Sequence, residues 1–302
     1  MSSIVAEPRF VNSVAVRRDL LRRFMADAPF QPATNLWRAV ELPVLASVLP
    51  ATGRGLDVGC GDGVLTRLLR DLVGASWTLV GVDPDPHETA AAQSAEIYAA
   101  VHTTGADAVP EADASFDFAF SNSVLEHIPD LAPCLTETAR LLKPGGSLFA
   151  TVPAAGLHGL MAGPGWTRRI SREAYLAETD RRIAHLRYPT VDRWRGLLND
   201  AGLELVAVRT YLSARQVRRW ETWANWTGGL LYRLQGARRP PIQIQRSLGL
   251  RRAMPRPLRW LAGPAAFFAG SGVLADEPVV PAGGAESAAD RGGGLLFEAR
   301  RR

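Results

Sequence analysis

The chain has 302 residues, 47% of them apolar and 22% charged, with a formal net charge of +5. That apolar share supplies a core for one large domain or two small ones, and it excludes disordered, collagen-like and disulfide-scaffold proteins. The +5 conceals a division: residues 1–150 carry a net −7 and residues 151–302 a net +12, so the second half suits an anionic partner such as phosphate, nucleic acid or a membrane surface. Lys143 is the single lysine among 35 cationic residues. Codon bias from a GC-rich genome accounts for arginine over lysine, but not for where the arginines sit. Two cysteines, Cys60 and Cys134, make no disulfide framework and point to a reducing, cytoplasmic setting. The first 25 residues include Glu7, Arg9, Arg17, Arg18, Asp19, Arg22 and Arg23, which leaves no secretory signal in them. No apolar run reaches the roughly 18 to 20 residues of a membrane-spanning helix.

In chain order, residues 10–50 read as a helical segment broken at Pro29 and Pro32. From Gly53 to Val152, short β-rich runs alternate with helical stretches, the pattern of a parallel α/β sheet. Residues 55–58 read as the first buried strand. Gly59, Gly61 and Gly63 break it, and Val64, Leu65, Leu68, Leu69 and Leu72 then recur at helical spacing. A second strand at 77–82 ends on Asp83-Pro84, and the alanine-rich residues 86–100 read as a helix. Strand 116–120 precedes a helix over 131–142, which Pro144-Gly145-Gly146 stops before strand 147–152. A helix over 190–201 ends at Gly202 ahead of strand 203–208, and a last strand falls at 294–299. Residues 209–293, between those two strands, exceed what a compact α/β domain needs. Residues 281–294 read as flexible, and no internal repeat is evident.

Three alternating glycines in Asp57-Val58-Gly59-Cys60-Gly61-Asp62-Gly63 let backbone approach a ligand closely where a strand turns into a helix. A G-x-G turn alone is weak, but here it has partners. Asp83 lies 20 residues beyond Gly63, at the end of the next strand, where a carboxylate can accept from two ribose hydroxyls. Gly105-Ala106-Asp107 follows the third strand and places a carboxylate for an adenine amino group. With an aspartate at its start and no pyrophosphate-type spacing, the turn suits a cationic, phosphate-free ligand, an ammonium or sulfonium.

On these residues the chain resembles the class I S-adenosylmethionine-dependent methyltransferases, in the stretches LDVGCGDG, LVGVDPDP, FDFAFSNSVLEHIPD and LLKPGGSLFATVP. The likeness is strong over 53–153 and weaker over 185–208 and 294–300. It implies a Rossmann-like, doubly wound, mainly parallel seven-stranded α/β sheet whose last strand is antiparallel. It also implies N-terminal helices and a long insert before that strand, packed over the carboxyl ends of the strands. The organisation expected is a helical lid segment over 1–50, a cofactor-binding core over 51–208, an insert over 209–293 and the last strand and tail over 294–302. The resemblance assigns the cofactor's amino-acid end to Asp57, Gly59, Cys60 and Gly61, and the ribose to Asp83 with Pro84 against the adenine. It assigns the adenine edge to Ala106 and Asp107, and the floor below the methionine to Asn122. Gly63 serves helix packing.

Methyl transfer requires alignment of a nucleophile, exclusion of water and, for a hydroxyl acceptor, a general base. His127 stands just after the fourth strand and is the candidate base; ordering of its loop is the competing role. His185 faces either the acceptor or the protein's own packing. His87, His102 and His158 lack metal-ligand spacing, so no metal is expected. The insert is the remaining signal. Residues 209–260 hold 12 arginines and one acidic residue, Glu221, with Trp220, Trp223, Trp226 and Trp260. Val217, Trp220, Ala224, Thr227, Leu231 and Leu234 put one apolar face on a helix over 212–235, and Arg215, Arg218, Arg219 and Arg233 flank it. Three roles stay open: contact with an anionic membrane from the inner face, a substrate-covering lid or dimer surface, and nucleic-acid binding. The function expected is S-adenosylmethionine-dependent methylation of a small-molecule, lipid-linked or glycan acceptor. The alternatives are a non-catalytic S-adenosylmethionine-binding scaffold and an RNA methyltransferase that uses the basic insert. Oligomeric state is not legible.

Overall fold

The computed structural model describes residues 16–165, 169–235, 244, 247–250, 253–273 and 291–302. Seven strands form one sheet in the order β3-β2-β1-β4-β5-β7-β6. They are β1 (Thr52–Val58), β2 (Ser76–Asp83), β3 (Ala100–Thr103), β4 (Phe116–Asn122), β5 (Leu142–Pro153), β6 (Leu203–Tyr211) and β7 (Gly294–Arg301). β7 runs antiparallel between β5 and β6, and the other neighbours are parallel. This is the Rossmann-like, doubly wound architecture that the sequence implied. The chain reverses direction across the sheet at the β1–β4 pair, so a crevice opens beyond the carboxyl ends of those two strands.

Alternation along the strands feeds two apolar layers. Leu56, Val58, Val80, Val82, Leu148 and Phe297 face α5 (Leu131–Leu141) and α8 (Val191–Asp200), with Trp194 fully buried among them. Phe118 and Phe120 point the other way, stacked with centroids 6.3 Å apart and packed on Trp77. That second layer is covered by α1 (Arg18–Asp27), α2 (Pro32–Ala46) and α3 (Val64–Val73). Around the rim lie α4 (Pro86–Ser94), the single-turn α6 (Leu157–Leu160), α7 (Arg172–Ile183), α9 (Ala214–Trp226), α10 (Gly228–Leu234) and α11 (Ala262–Gly270).

Two expected elements are corrected. The helix over 86–100 ends at Ser94: Glu96 turns left-handed at φ +55°, and Ala100–Thr103 pairs with β2 as the sheet's edge strand. The helix over 212–235 is two helices, because Thr227 adopts φ −109°, ψ −95° between α9 and α10. Its apolar face therefore holds only as far as Val217, Trp220 and Ala224, which are buried, while Leu234 is 74% exposed. The flexible stretch expected at 281–294 lies, up to residue 290, outside the described residues.

The insert packs over the strand ends as a cover. α9 lies on α2, and α11 lies on α1. The lone acid of residues 209–260, Glu221, is buried and accepts from Tyr175 Oη (2.7 Å), Gly163 N (3.0 Å) and Ala162 N (2.6 Å). A Ser213–Gln216 capping box starts α9. Glu221→Ala orphans two buried donors, those of Tyr175 and Gly163, and should cost about 3 kcal/mol of unfolding free energy, whereas Ser213→Ala should cost about 1 kcal/mol. Urea unfolding of the two variants measures the difference.

Candidate active site

The glycine turn follows β1 with Gly59, Gly61 and Gly63 all at positive φ (+80°, +52° and +75°). Its amides fold inward. Gly59 and Cys60 both donate to Val82 O (2.9 and 3.0 Å), Gly61 to Asp83 Oδ2 (3.1 Å), and Gly63 to Cys60 O (3.1 Å). Donors turned away in this manner make no nest for a diphosphate, which agrees with a cationic ligand. Beside Gly61 nothing lies within 4 Å of where a Cβ would stand, while Val124 closes over Gly59. Open space therefore flanks the turn on one side.

Asp57 lies buried beneath the turn, with Oδ2 accepting from Thr66 Oγ1 (2.5 Å) and Tyr98 Oη (2.6 Å). Burial pushes its carboxyl up to about 6, against those two hydrogen bonds and with help from the charge of Asp83. Asp83 sits on the neighbouring strand and is also raised by burial, although the amides of Asp85 (2.9 Å) and Gly61 hold its two oxygens. Pro84 is exposed beside it. Ala106, half-buried, and Asp107, exposed, lie in the loop after β3, and Cys60 is buried against Gly81. Asn122 ends β4 as expected, yet its side chain is engaged: Oδ1 accepts from Arg38 Nη1 (2.7 Å) and Nδ2 donates to Thr151 Oγ1 (2.9 Å). The structure brings Asp57, Gly59, Cys60, Gly61, Asp83 and Asn122 to one end of three adjacent strands.

Next to the turn lies a cavity of 440 Å³ that the insert and the N-terminal helices close. Phe30, Trp37, Ile183, Trp220 and Ala224 form its apolar wall, and Arg38, Ser123, Glu126, His127 and His185 its polar side. Trp220 of the insert meets Trp37 edge-on at 5.5 Å, so the insert and the N-terminal helices share this wall. Ser123 adopts φ +52°, a left-handed conformation rare for a side-chain-bearing residue. It is held there by its amide to Thr151 O (2.9 Å) and its hydroxyl to Glu41 Oε1 (2.5 Å).

His127 and His185, from distant segments, meet with ring centroids 5.2 Å apart. His127 donates Nδ1–H to Ala184 O (2.8 Å). Tyr188 gives its hydrogen to Asp180, so His185 donates Nδ1–H to the Tyr188 oxygen (3.1 Å). Both rings thereby keep a lone pair on Nε2. Burial lowers both pKa values, that of His185 to about 3, so the imidazoles are neutral at pH 7. Between them sits the Glu126 carboxyl, 1% exposed, with neither oxygen hydrogen-bonded among the described residues. Burial, with the charge of Glu41 behind it, pushes this acid up to about 8.

A family model described as a methyltransferase domain matches residues 32–208. The chain belongs to that family. Residues 32–208 are a methyltransferase domain, and S-adenosylmethionine is the methyl donor of that domain. Over 128 residues it is 37% identical to the ubiquinone biosynthesis O-methyltransferase of Xanthomonas axonopodis pv. citri, covering 41% of this chain and 53% of that one. It is 34% identical over 146 residues to the malonyl-[acyl-carrier protein] O-methyltransferase of Pseudescherichia vulneris, covering 47% and 53%. The chain thus spans about half the length of these curated relatives. Among solved structures, the [4+2]-cyclase SpnF matches with a TM-score of 0.52 at 16% identity, over 97% of this chain and 99% of that one. A methyltransferase from Thermotoga maritima matches at 0.51 and 16%, over 95% and 100%. These two likenesses show the fold.

The site fits the donor. Open space at Gly61, inward-turned amides and two carboxylates together accept a cation that lacks phosphate. When bound, S-adenosylmethionine supplies a methyl group already activated on a sulfonium. The methyltransferase itself aligns the acceptor and keeps water out. Sequence reading passed over Arg38, Glu41, Ser123, Glu126 and Tyr188. Glu126 stood beside His127 in a quoted motif, and Arg38 and Glu41 have i,i+3 spacing, but nothing local links either to His185.

The sign of the Asp57 shift gives a test. Its folded pKa lies above the unfolded value, so the native state alone holds that proton between pH 4 and 6, and apo stability falls as pH rises through that window. The charge that forms should favour the cofactor. We expect S-adenosylmethionine affinity to rise as pH passes about 6 and to stay flat in Asp57→Asn, as measured by calorimetry at pH 5 and 7.5.

Proposed function

We propose that the methyltransferase acts on the oxygen of a small, largely apolar acceptor held in the 440 Å³ cavity. The carrying observation is that cavity's polarity. Aromatic and aliphatic walls leave one polar side where Glu126, His127 and His185 converge, and the volume falls within the range of about 300 to 1,000 Å³ usual for small-molecule sites. Two relatives named as O-methyltransferases support oxygen as the acceptor. In this reading His127 is the catalytic residue, its Nε2 lone pair receiving the hydroxyl's hydrogen. Asp57, Gly59, Cys60, Gly61, Asp83, Pro84, Ala106 and Asp107 hold the cofactor, and Asn122 supports the floor through Arg38. His127→Ala should lower kcat by about 10²- to 10⁴-fold and leave cofactor affinity unchanged. The assay follows labelled methyl groups from S-adenosylmethionine into a panel of small phenols and alcohols. Transfer to amines alone, or full activity without the imidazole, overturns the reading.

The acceptor's source is read from a second surface. Among the described residues no helix is long and apolar enough to cross a membrane. On α9 the apolar face expected at a membrane is turned inward, while Arg215 and Arg218 stay exposed. Trp220 is buried, Arg219 is tied to Ala269 O (3.0 Å) and Ser271 Oγ (2.7 Å), and Arg233 lies 3.8 Å from Glu178. Trp226 (73%) is exposed at the end of α9, and a second exposed group follows: Trp260 (67%), Phe267 (64%) and Phe268 (65%), with Leu258 and Leu261, beside Arg256 and Arg259, the latter paired with Asp27 (3.2 Å). Rings and guanidinium groups on one short segment suit an anionic lipid surface from which a lipid-linked acceptor is taken. The protein should co-sediment with phosphatidylglycerol vesicles at low salt and less so at 0.5 M salt. Phe267→Ser/Phe268→Ser should lose most of that binding, and a wild-type protein left in the supernatant at low salt sinks the proposal.

A further inference from the structure

Glu126, His127 and His185 place one donor atom each within 4.8 Å of one another, a grouping that sequence spacing gave no reason to expect. Three observations about their surroundings go beyond proximity. The first is the orphaned acid: a carboxyl that is 1% exposed, with no hydrogen-bond partner for either oxygen among the described residues, is a costly arrangement to leave unmatched. The second is the orientation of both rings. Each histidine donates Nδ1–H to a fixed acceptor, Ala184 O or the Tyr188 hydroxyl backed by Asp180, and so aims a bare Nε2 inward. Such outer hydrogen bonds fix tautomer and direction in histidines that bind metals. The third is the open side, for His127, His185 and Glu126 all line the cavity.

We propose that these three residues form a site for a divalent transition-metal ion, with a free coordination position facing the cavity. Two imidazoles and one carboxylate are the donor set of open zinc sites and of facial-triad iron sites. Glu126 Oε1 stands 3.8 Å from His185 Nε2 and 3.9 Å from His127 Nε2. Zinc–ligand bonds of about 2.0 to 2.1 Å in a tetrahedron put ligand atoms about 3.3 to 3.4 Å apart, so Glu126 and each ring must close by about half an ångström. Arg38 and Arg182 are cations of the same cavity that oppose an ion here; the ion pair of Arg38 with Glu41 offsets the first. Metal and hydroxyl hydrogen would use the same Nε2 of His127, so the metal-bound form is not the form in which that imidazole acts as base. The site rests on the acceptor reading only for what fills the free position, and not for binding itself.

The test titrates cobalt(II) chloride into chelator-treated full-length protein and reads visible d–d absorption and calorimetric stoichiometry, without cofactor or acceptor. One ion per chain with a low-symmetry four- or five-coordinate spectrum is expected. Glu126→Gln and His185→Ala should each weaken binding at least tenfold. Tyr188→Phe, which removes the acceptor for His185 Nδ1–H, should weaken it about 10- to 100-fold. His87→Ala, on the exposed start of α4, should leave it unchanged. Circular dichroism confirms that each variant is folded. Absence of cobalt binding, or binding that survives Glu126→Gln with the fold intact, overturns the metal site. The effect of His127→Ala on methyl transfer in chelator would still stand in that case, so the two proposals fail separately.

Discussion

Glu41 is a carboxylate with no exposed surface in the middle of α2, and much of the active site hangs on how its charge is met. Oε1 accepts from Trp37 Nε1 (3.2 Å), Ser123 Oγ (2.5 Å) and Tyr211 Oη (2.8 Å), while Oε2 pairs with Arg38. Burial alone would raise such an acid; Arg38 and the hydroxyl donors outweigh it, and its pKa is lowered. A buried ion pair contributes little net stability against an apolar replacement, because desolvation consumes most of the Coulomb gain. What this pair contributes is position. It fastens α2 to the ends of β4 and β6 at once, and through Arg38 it fixes Asn122. Ser123 can then hold its left-handed turn, which starts the segment that carries Val124 over the glycine turn and Glu126 and His127 into the cavity.

The insert is tied down by the same device. Glu221 gathers Tyr175 and two backbone amides, and Arg182, 5% exposed, donates to Ala224 O (3.0 Å) from the opposite side. A basic, tryptophan-rich segment with a single acid thus closes onto the core through that acid. Trp220 and Trp223 are consumed in this closure, the latter donating to Ala269 O (3.1 Å). Trp226 and Trp260 are left outside. Composition could count four tryptophans but could not sort them, because the kink at Thr227 and the docking of α11 on α1 decide which face turns inward.

Legibility followed the range of each interaction. The turn from β1 into α3 was readable, since glycine spacing and the apolar repeat after Gly63 are local. Asp57 and Asp83 could be set on neighbouring strands because consecutive β-α-β units seldom leave a choice. The end of α4 at Ser94 was not readable: alanines continue to favour helix there, and edge pairing of Ala100–Thr103 with β2 overrides them. The acceptor side was least legible. His127 and His185 are separated by 57 intervening residues, and only the packing of the α7 end, with Ala184 left-handed at φ +57°, turns the second ring toward the first.

The resulting charge layout bears on catalysis. The donor side carries acids, Asp57 and Asp83, for a ligand that arrives positive. On the acceptor side burial lowers the pKa of both imidazoles and raises that of Glu126, Arg38 is paired with Glu41, and Arg182 donates to Ala224 O. In attack by an oxyanion on a sulfonium, opposite charges neutralise as the carbon changes hands, so the reactants are more charged than the transition state. Water would hold the reactants back, and a site that excludes it does not. An unpaired guanidinium would undo this. At about 4 Å and an effective dielectric of about 20, it would oppose a sulfonium by roughly 4 kcal/mol. The Glu41 carboxylate that anchors α2 is thus also the partner of the Arg38 guanidinium on the cavity's polar side.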